Sequence, residues 1–308
     1  MFKTKTYIPL TVPRRKIGDY KRNFYIATHG TGRIFMFACD QKVEHLNDDF
    51  SGKGVTPEMA DPEHFFKIAQ HGKVGVLATQ LGLIAKYGHD YPKIPYIIKL
   101  NSKTNILKTT EKDPLSNLWH SMDEVIRFKH ESRLPIVGVG YTVYIGSWYE
   151  SDMFRQAAHM IYRAHQEGLL TVIWMYPRGK AVQNEKDPHL VAGGAGVACS
   201  LGADFVKLQC PEAKGKDPSE LLREAVIAAG RCGVICVGGP KKTAQSFLQD
   251  VHNQIHLSKT RGAAIGRNIF QRPLNDALRM SCAISAIIYK NASVKEAYAI
   301  YLGKKKRT

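Results

Sequence analysis

Residues 170–179 read LTVIWMYPRG and residues 202–210 read GADFVKLQC, and these two stretches decide the fold. Each is an apolar run that stops abruptly in polar or turn-forming residues. Neither alternates apolar with polar residues, as a half-exposed strand would. Strands of this kind are expected in a parallel sheet buried on both faces. The intervening stretch 187–202 opens with Asp187-Pro188 and reads as a helix. The pair is therefore a strand–helix–strand unit.

The same alternation extends in both directions. Apolar strand-like runs fall at 33–39, 74–79, 96–100, 136–144, 234–237 and 263–265. Helical patterns fall at 62–71, 116–131, 151–168, from Asp217-Pro218 onward, at 244–256 and across 273–302. Eight strands alternating with helices predict a (β/α)8 TIM barrel, because closure accounts for the count and leaves no open edge. An open doubly wound sheet is the competitor, but no GxGxxG follows the first strand. The expected organisation is a basic amino-terminal extension or cap (1–32), one barrel domain (33–302) and a basic carboxy-terminal tail (303–308).

The 308 residues are 44% hydrophobic and 23% charged, near the average of globular proteins. No long apolar span and no secretory signal pattern is present, which excludes a membrane-spanning reading. The six cysteines lack paired spacing and sit mostly in apolar runs, as in a reduced, cytoplasmic protein. The net charge of +17 favours anionic partners, either phosphorylated metabolites or nucleic acid. The basic residues cluster only near the ends (14–16, 21–22, 304–307), and no nucleic-acid-binding motif accompanies them. That argues against a nucleic-acid partner.

In a barrel of this type the active site lies at the carboxyl ends of the strands. The strand ends offer Asp40, Gln41, Gln80, Asn101, Tyr144, Tyr176, Arg178, Lys207, Gln209 and two glycine turns. Lys207 stands out, because a lysine inside an apolar run is desolvated, and a desolvated amine is a nucleophile toward carbonyls. A lysine that merely reaches water from a strand end is the alternative. Tyr176 is a proton carrier and Asp40 a carboxylate, each on another strand. The turns at 238–241 (GGPK) and 266–268 (GRN) let backbone N–H groups approach a phosphate, with Lys241 and Arg267 for its charge. Ordinary turn chemistry is the plainer account of the glycines. A metal site built from Asp40, Glu44, His45 and His89 is a weaker alternative than a hydrogen-bonded charged loop. Lys99, a second candidate amine, precedes Leu100 and Asn101 and reads as a structural or substrate-binding charge.

Taken together, the blocks 37–45 (FACDQKVEH) with Asp49-Phe50, 139–147 (VGYTVYIGS), 174–179 (WMYPRG), 202–207 (GADFVK), 238–241 and 264–268 (AIGRN) resemble the archaeal-type class I fructose-1,6-bisphosphate aldolase family, also called the DhnA-type group. The resemblance runs in order from about 33 to 272. It implies a Schiff-base aldolase acting on a phosphorylated sugar, with no required metal or other cofactor, assembled as a ring-shaped homo-oligomer, often a decamer. By matched motif it implies Lys207 as the Schiff-base lysine, Tyr176 as general acid/base and Asp40 as the assisting carboxylate. Trp174 falls where the family carries an active-site tryptophan, Gly238, Gly239, Gly266 and Arg267 on its phosphate-binding turns. Arg178 or the iminium itself is the expected cation beside the phenol. Val237 departs from the serine of many relatives, and Gln41-Lys42 from a frequent His-Gly. Two rivals remain: a Schiff-base synthase or transaldolase on another phosphosugar, resembling aminodeoxyheptulosonate synthases, and a noncatalytic basic barrel.

Overall fold

A computed structural model describes residues 7–44, 49–52, 54–106 and 111–304. His45, residues 1–6 of the expected extension and residues 305–308 of the tail lie outside the described residues. The strands are β1 (Ile34–Ala38), β2 (Val76–Gln80), β3 (Tyr96–Lys99), β4 (Ile136–Ile145), β5 (Leu170–Pro177), β6 (Phe205–Leu208), β7 (Gly233–Val237) and β8 (Gly262–Ile265). All pair in parallel, in chain order, and β8 returns to β1, closing a (β/α)8 barrel.

The continuous apolar runs follow from this closure. Alternate residues of one strand face two different cores. Ile34 and Met36 of β1 point into the barrel with Val76, Ala78, Ile97, Val172, Trp174, Phe205 and Ala264. Phe35 and Phe37 point outward, under the helices. Neither set meets water, so a polar alternate has no place along most of each strand.

The helices differ from the sequence expectation where local polar contacts intervene. The segment expected to be helical from 116 starts at Met122, where Ser121 and Glu124 form a reciprocal capping box. Before it, the Ser116 carbonyl accepts hydrogen bonds from Asn101 and Tyr141, which holds that chain as loop. The 273–302 pattern is two helices, Leu274–Lys290 and Val294–Tyr301, separated by Asn291 in the left-handed region at φ 56°. The helix Leu81–Tyr87 was not expected. β3 ends on Lys99 rather than beyond it, so the earlier placement of Lys99 inside the strand is corrected.

The basic character of residues 1–32 concealed the helix Ile17–Thr28. Its Tyr20, Phe24 and Ala27 join the interior core, with Phe24 stacked 6.1 Å from Phe205. Asn23 donates to the Gly168 carbonyl at 2.8 Å, just before β5. Tyr20 donates to Asp204 at 2.5 Å, and the second oxygen of Asp204 accepts from the Thr171 backbone and hydroxyl and faces His165 at 3.2 Å. The helix therefore plugs the end of the barrel at which the strands begin. Replacing Tyr20 with Phe removes a partner from a buried carboxylate. We expect a loss of about 1–3 kcal/mol in denaturant unfolding; an unchanged midpoint with the same slope would contradict this role.

Candidate active site

At the opposite end, the strand termini surround a cavity of about 610 Å³. That is the size of an ordinary small-molecule site. Asp40, Glu44, Tyr144, Tyr176, Arg178, Lys207, Gly238, Gly239, Gly266 and Arg267 all line it. Residues expected from six strands thus converge on one space.

Lys207 is inward-facing on β6, one interior position beyond Phe205, and only 5% exposed. Burial depresses its amine below the usual lysine range. Asp40 and Glu44 oppose that shift, and Lys99 adds to it. Its Nζ lies 5.1 Å from the centre of the Trp174 ring. Trp174 pairs in register with Lys207 on β5 and is fully buried below the cavity. The indole lies across Gly140 of β4, where an added Cβ would sit 2.2 Å from the ring. Any larger residue at Gly140 would displace the ring on which Lys207 rests.

Tyr176, two residues above Trp174, lines the cavity beside Tyr144, with ring centres 6.4 Å apart. Burial raises the Tyr176 phenol well above its usual range, and the negative charges of Glu44 and Asp40 raise it further. Arg178 lowers it only weakly, because its guanidinium forms a two-pronged pair with Glu185 at 2.7 and 2.8 Å. Arg178 thus acts in the expected direction but does not outweigh burial and the two acids, and Tyr176 rests protonated.

Asp40 follows β1 and begins a one-turn helix, Gln41–Glu44, that places Glu44 next to it. Both carboxylates face Lys99, whose Nζ lies 2.5 Å from Glu44 Oε1 and 3.5 Å from Asp40 Oδ2. Ser102 also donates to Glu44, at 3.0 Å, and Gln80 donates to Ser102 at 3.1 Å. The acids of the imagined metal cluster thus surround a cation that the chain itself supplies. His89 is exposed on the turn leading into β3, at the other end of the barrel.

The glycine turns lie side by side. Asn268 clamps them, donating to the Gly238 and Pro240 carbonyls at 2.9 Å each and accepting from the Lys242 N–H at 2.8 Å. A Cβ at Gly266 would fall 2.2 Å from Gln41 Nε2 and 2.8 Å from the Ala38 carbonyl, so only glycine lets β8 and the β1 loop approach this closely. Lys241 does not line the cavity; Lys242 does, and its amine pairs with Asp250 at 2.6 Å. The expectation for Lys241 is thus corrected by one residue. Arg267 lies 3.7 Å from Asp49. Lys42, at one departure from the family pattern, turns to the Ala60 carbonyl and the Phe50 ring, away from the cavity.

Sequence reasoning missed the Lys99–Glu44 contact, Glu185 and the clamp made by Asn268. The i, i+4 spacing of Asp40 and Glu44 was the one available signal for the first.

Residues 34–272 match the profile described as DeoC/LacD family aldolase. A Methanocaldococcus jannaschii protein named fructose-bisphosphate aldolase/6-deoxy-5-ketofructose 1-phosphate synthase is 52% identical over 97% of this chain and 95% of its own. A Thermoproteus tenax fructose-bisphosphate aldolase class 1 is 34% identical over 86% and 93%. Among solved structures, a fructose-bisphosphate aldolase from Slackia heliotrinireducens superposes with TM-score 0.95 at 46% identity, covering 99% of this chain and 96% of that one. An archaeal fructose-1,6-bisphosphate aldolase, solved with its catalytic lysine bound to the carbinolamine intermediate of the substrate, superposes with TM-score 0.74 at 32% identity, covering 88% and 99%. The match across most of the chain and the barrel that carries it agree: this chain belongs to the DeoC/LacD family of aldolases.

Proposed function

We propose that the chain is a class I aldolase that cleaves fructose 1,6-bisphosphate reversibly to dihydroxyacetone phosphate and glyceraldehyde 3-phosphate through a Schiff base on Lys207. The observation that carries this reading is the placement of a desolvated amine (Lys207), a protonated phenol (Tyr176) and the carboxylate of Asp40 on the same cavity as two glycine turns. The relatives named as fructose-bisphosphate aldolases support the choice of sugar.

The chemistry follows from these positions. The neutral Lys207 amine adds to the C2 ketone, and loss of water from the carbinolamine leaves an iminium cation. Asp40 takes the proton of the C4 hydroxyl, the C3–C4 bond breaks, and its electron pair neutralises the iminium as an enamine. The aldehyde departs. Tyr176, a phenol at rest, is suited to deliver a proton to C3; the iminium formed by that step is then hydrolysed. The anionic phosphate ends are met by the clamped backbone of the glycine turns and by Arg267 and Lys242, each already paired with an acid. The glycine turns, with Val237 in place of serine, bind through N–H groups rather than a hydroxyl at that position.

A second reading has a specific observation behind it. The 52% identical relative carries a synthase name beside the aldolase name. An enamine retained on Lys207 is captured by whichever aldehyde enters, so a synthase activity needs no new catalytic group. Cleavage of fructose 1,6-bisphosphate and condensation with alternative aldehydes, measured side by side, separates the two.

We further propose a cytoplasmic protein that assembles as a ring-shaped homo-oligomer. The six free thiols suit a reducing compartment. Trp148, 84% exposed, and Ile227, 79% exposed, are large apolar groups of the kind that a subunit contact covers. Sedimentation should report a multimer, and a monomer at micromolar concentration would contradict assembly.

With dihydroxyacetone phosphate and borohydride, the protein should acquire one stable label on Lys207, and Lys207→Met should acquire none. Stoichiometric labelling of that variant would overturn the assignment. Tyr176→Phe should lower cleavage about 10²–10⁴-fold while the borohydride label persists, because imine formation precedes the C3 proton transfer. Full cleavage activity in that variant would remove Tyr176 from the mechanism. Cleavage should also survive excess chelator; its loss would restore the metal reading.

A further inference from the structure

Lys99 is a lysine with no exposed surface, held at the inner end of β3. It does not line the cavity, so it is not placed to meet a sugar phosphate. Its contacts are instead with the two carboxylates of the site, Glu44 at 2.5 Å and Asp40 at 3.5 Å, and with Trp174, 4.8 Å from the ring centre. Lys207 approaches that same ring at 5.1 Å, yet among the described residues it has no ion-pair partner. Two lysines therefore share one aromatic support, and only one of them takes both acids.

We propose that Lys99 is a positioning residue: by engaging Asp40 and Glu44 it keeps both carboxylates from pairing with Lys207, which leaves the Lys207 amine free to attack the substrate ketone. This rests on the reading of Lys207 as the imine-forming residue and concerns the same site.

The reasoning is electrostatic. A buried carboxylate without a partner is costly, so two of them together demand a cation. The charges that act on Lys207 come from Asp40 at the end of β1, Glu44 on the following helical turn and Lys99 on β3, with a lesser influence from Cys39. Around the same cavity stand Tyr144 on β4 and Tyr176 and Arg178 on β5. The phenols are pushed toward their neutral form, and Arg178 is committed to Glu185. If Lys99 were removed, Lys207, on which both acids already act, would face them without that competing cation. The sign then follows: opposite charge favours ammonium, the neutral fraction at a given pH falls, and imine formation moves to higher pH. Trp174 contributes shape rather than charge balance, because it supports both nitrogens alike.

The test is the pH dependence of borohydride labelling at Lys207 with dihydroxyacetone phosphate, compared among the parent, Lys99→Met and the double variant Lys99→Met/Glu44→Gln. The single variant should move the rising limb by one pH unit or more, about tenfold less label at a fixed pH on that limb. The double variant removes one positive and one negative charge together and should bring the limb most of the way back toward the parental position, with Asp40 alone left to face Lys207. A loss of packing alone would not reverse in this way. Coincident limbs for parent and single variant, or a double variant shifted as far as the single, would overturn the role of Lys99 alone. Should Lys99→Met fail to fold, Lys99→Arg retains the charge with a different shape: a parental limb supports the proposal and a displaced one refutes it. Absence of label from Lys207 in the parent at every pH would overturn the Schiff-base reading and this inference with it.

Discussion

Keeping the amine of Lys207 out of water is the constraint on which the rest of the structure depends. In solvent a lysine is overwhelmingly ammonium near neutral pH and has no lone pair to offer a ketone. Barrel closure supplies the dry surroundings, because a β6 inside a closed sheet has no edge from which water reaches the Lys207 stem. The lower end must be sealed as well. The helix Ile17–Thr28 does this, filling the barrel's base with Tyr20 and Phe24 beneath Phe205, the residue one interior step below Lys207. Trp174 then occupies the next interior position on β5, and Gly140 is the residue small enough to admit it.

Desolvation has a cost for the acids that share the site. Carboxylates near a buried lysine tend to charge it, and in the proposed mechanism a charged Lys207 could not attack the ketone. The proposed role of Lys99 addresses that conflict, because both acids face a second cation that does not line the cavity. The same separation is visible at the rim, where Arg178, Lys186, Lys242 and Arg267 each face an acid: Glu185, Glu212, Asp250 and Asp49. The net charge of +17 is therefore not concentrated as bare cations in the cavity. That rim presents pre-oriented ion pairs rather than an unscreened positive surface.

Much of this was legible in the residues because parallel strands buried on both faces leave few places for polar side chains. Asp40, Tyr176 and Lys207 are conspicuous for that reason, and the strand-end rule places them together without any three-dimensional information. What could not be read depends on closure or on charge masking structure. Lys99 and Glu44 are 55 residues apart, and their contact exists only once the loop after β1 folds over the end of β3. The helix Ile17–Thr28 carries enough charge on its outer face to pass for a solvated extension, although its inner face is core. Lys241 and Lys242 differ only in the direction the turn sends each, which Asn268 sets from the neighbouring loop.

The state of Tyr176 ties the proton chemistry to the covalent chemistry. A phenol raised by burial and by two nearby acids does not give up its proton to the resting site. It would therefore neither quench Lys207 nor deprotonate substrate prematurely. In the proposed mechanism the iminium on Lys207 is a fixed positive charge in the same low-dielectric space, and a nearby cation stabilises a phenolate. On that mechanism Tyr176 would become competent to exchange a proton with C3 only after the covalent bond has formed, and would lose that competence when the imine is hydrolysed. The proposed order of steps would then follow from the electrostatics of a cavity whose central group changes charge during the reaction.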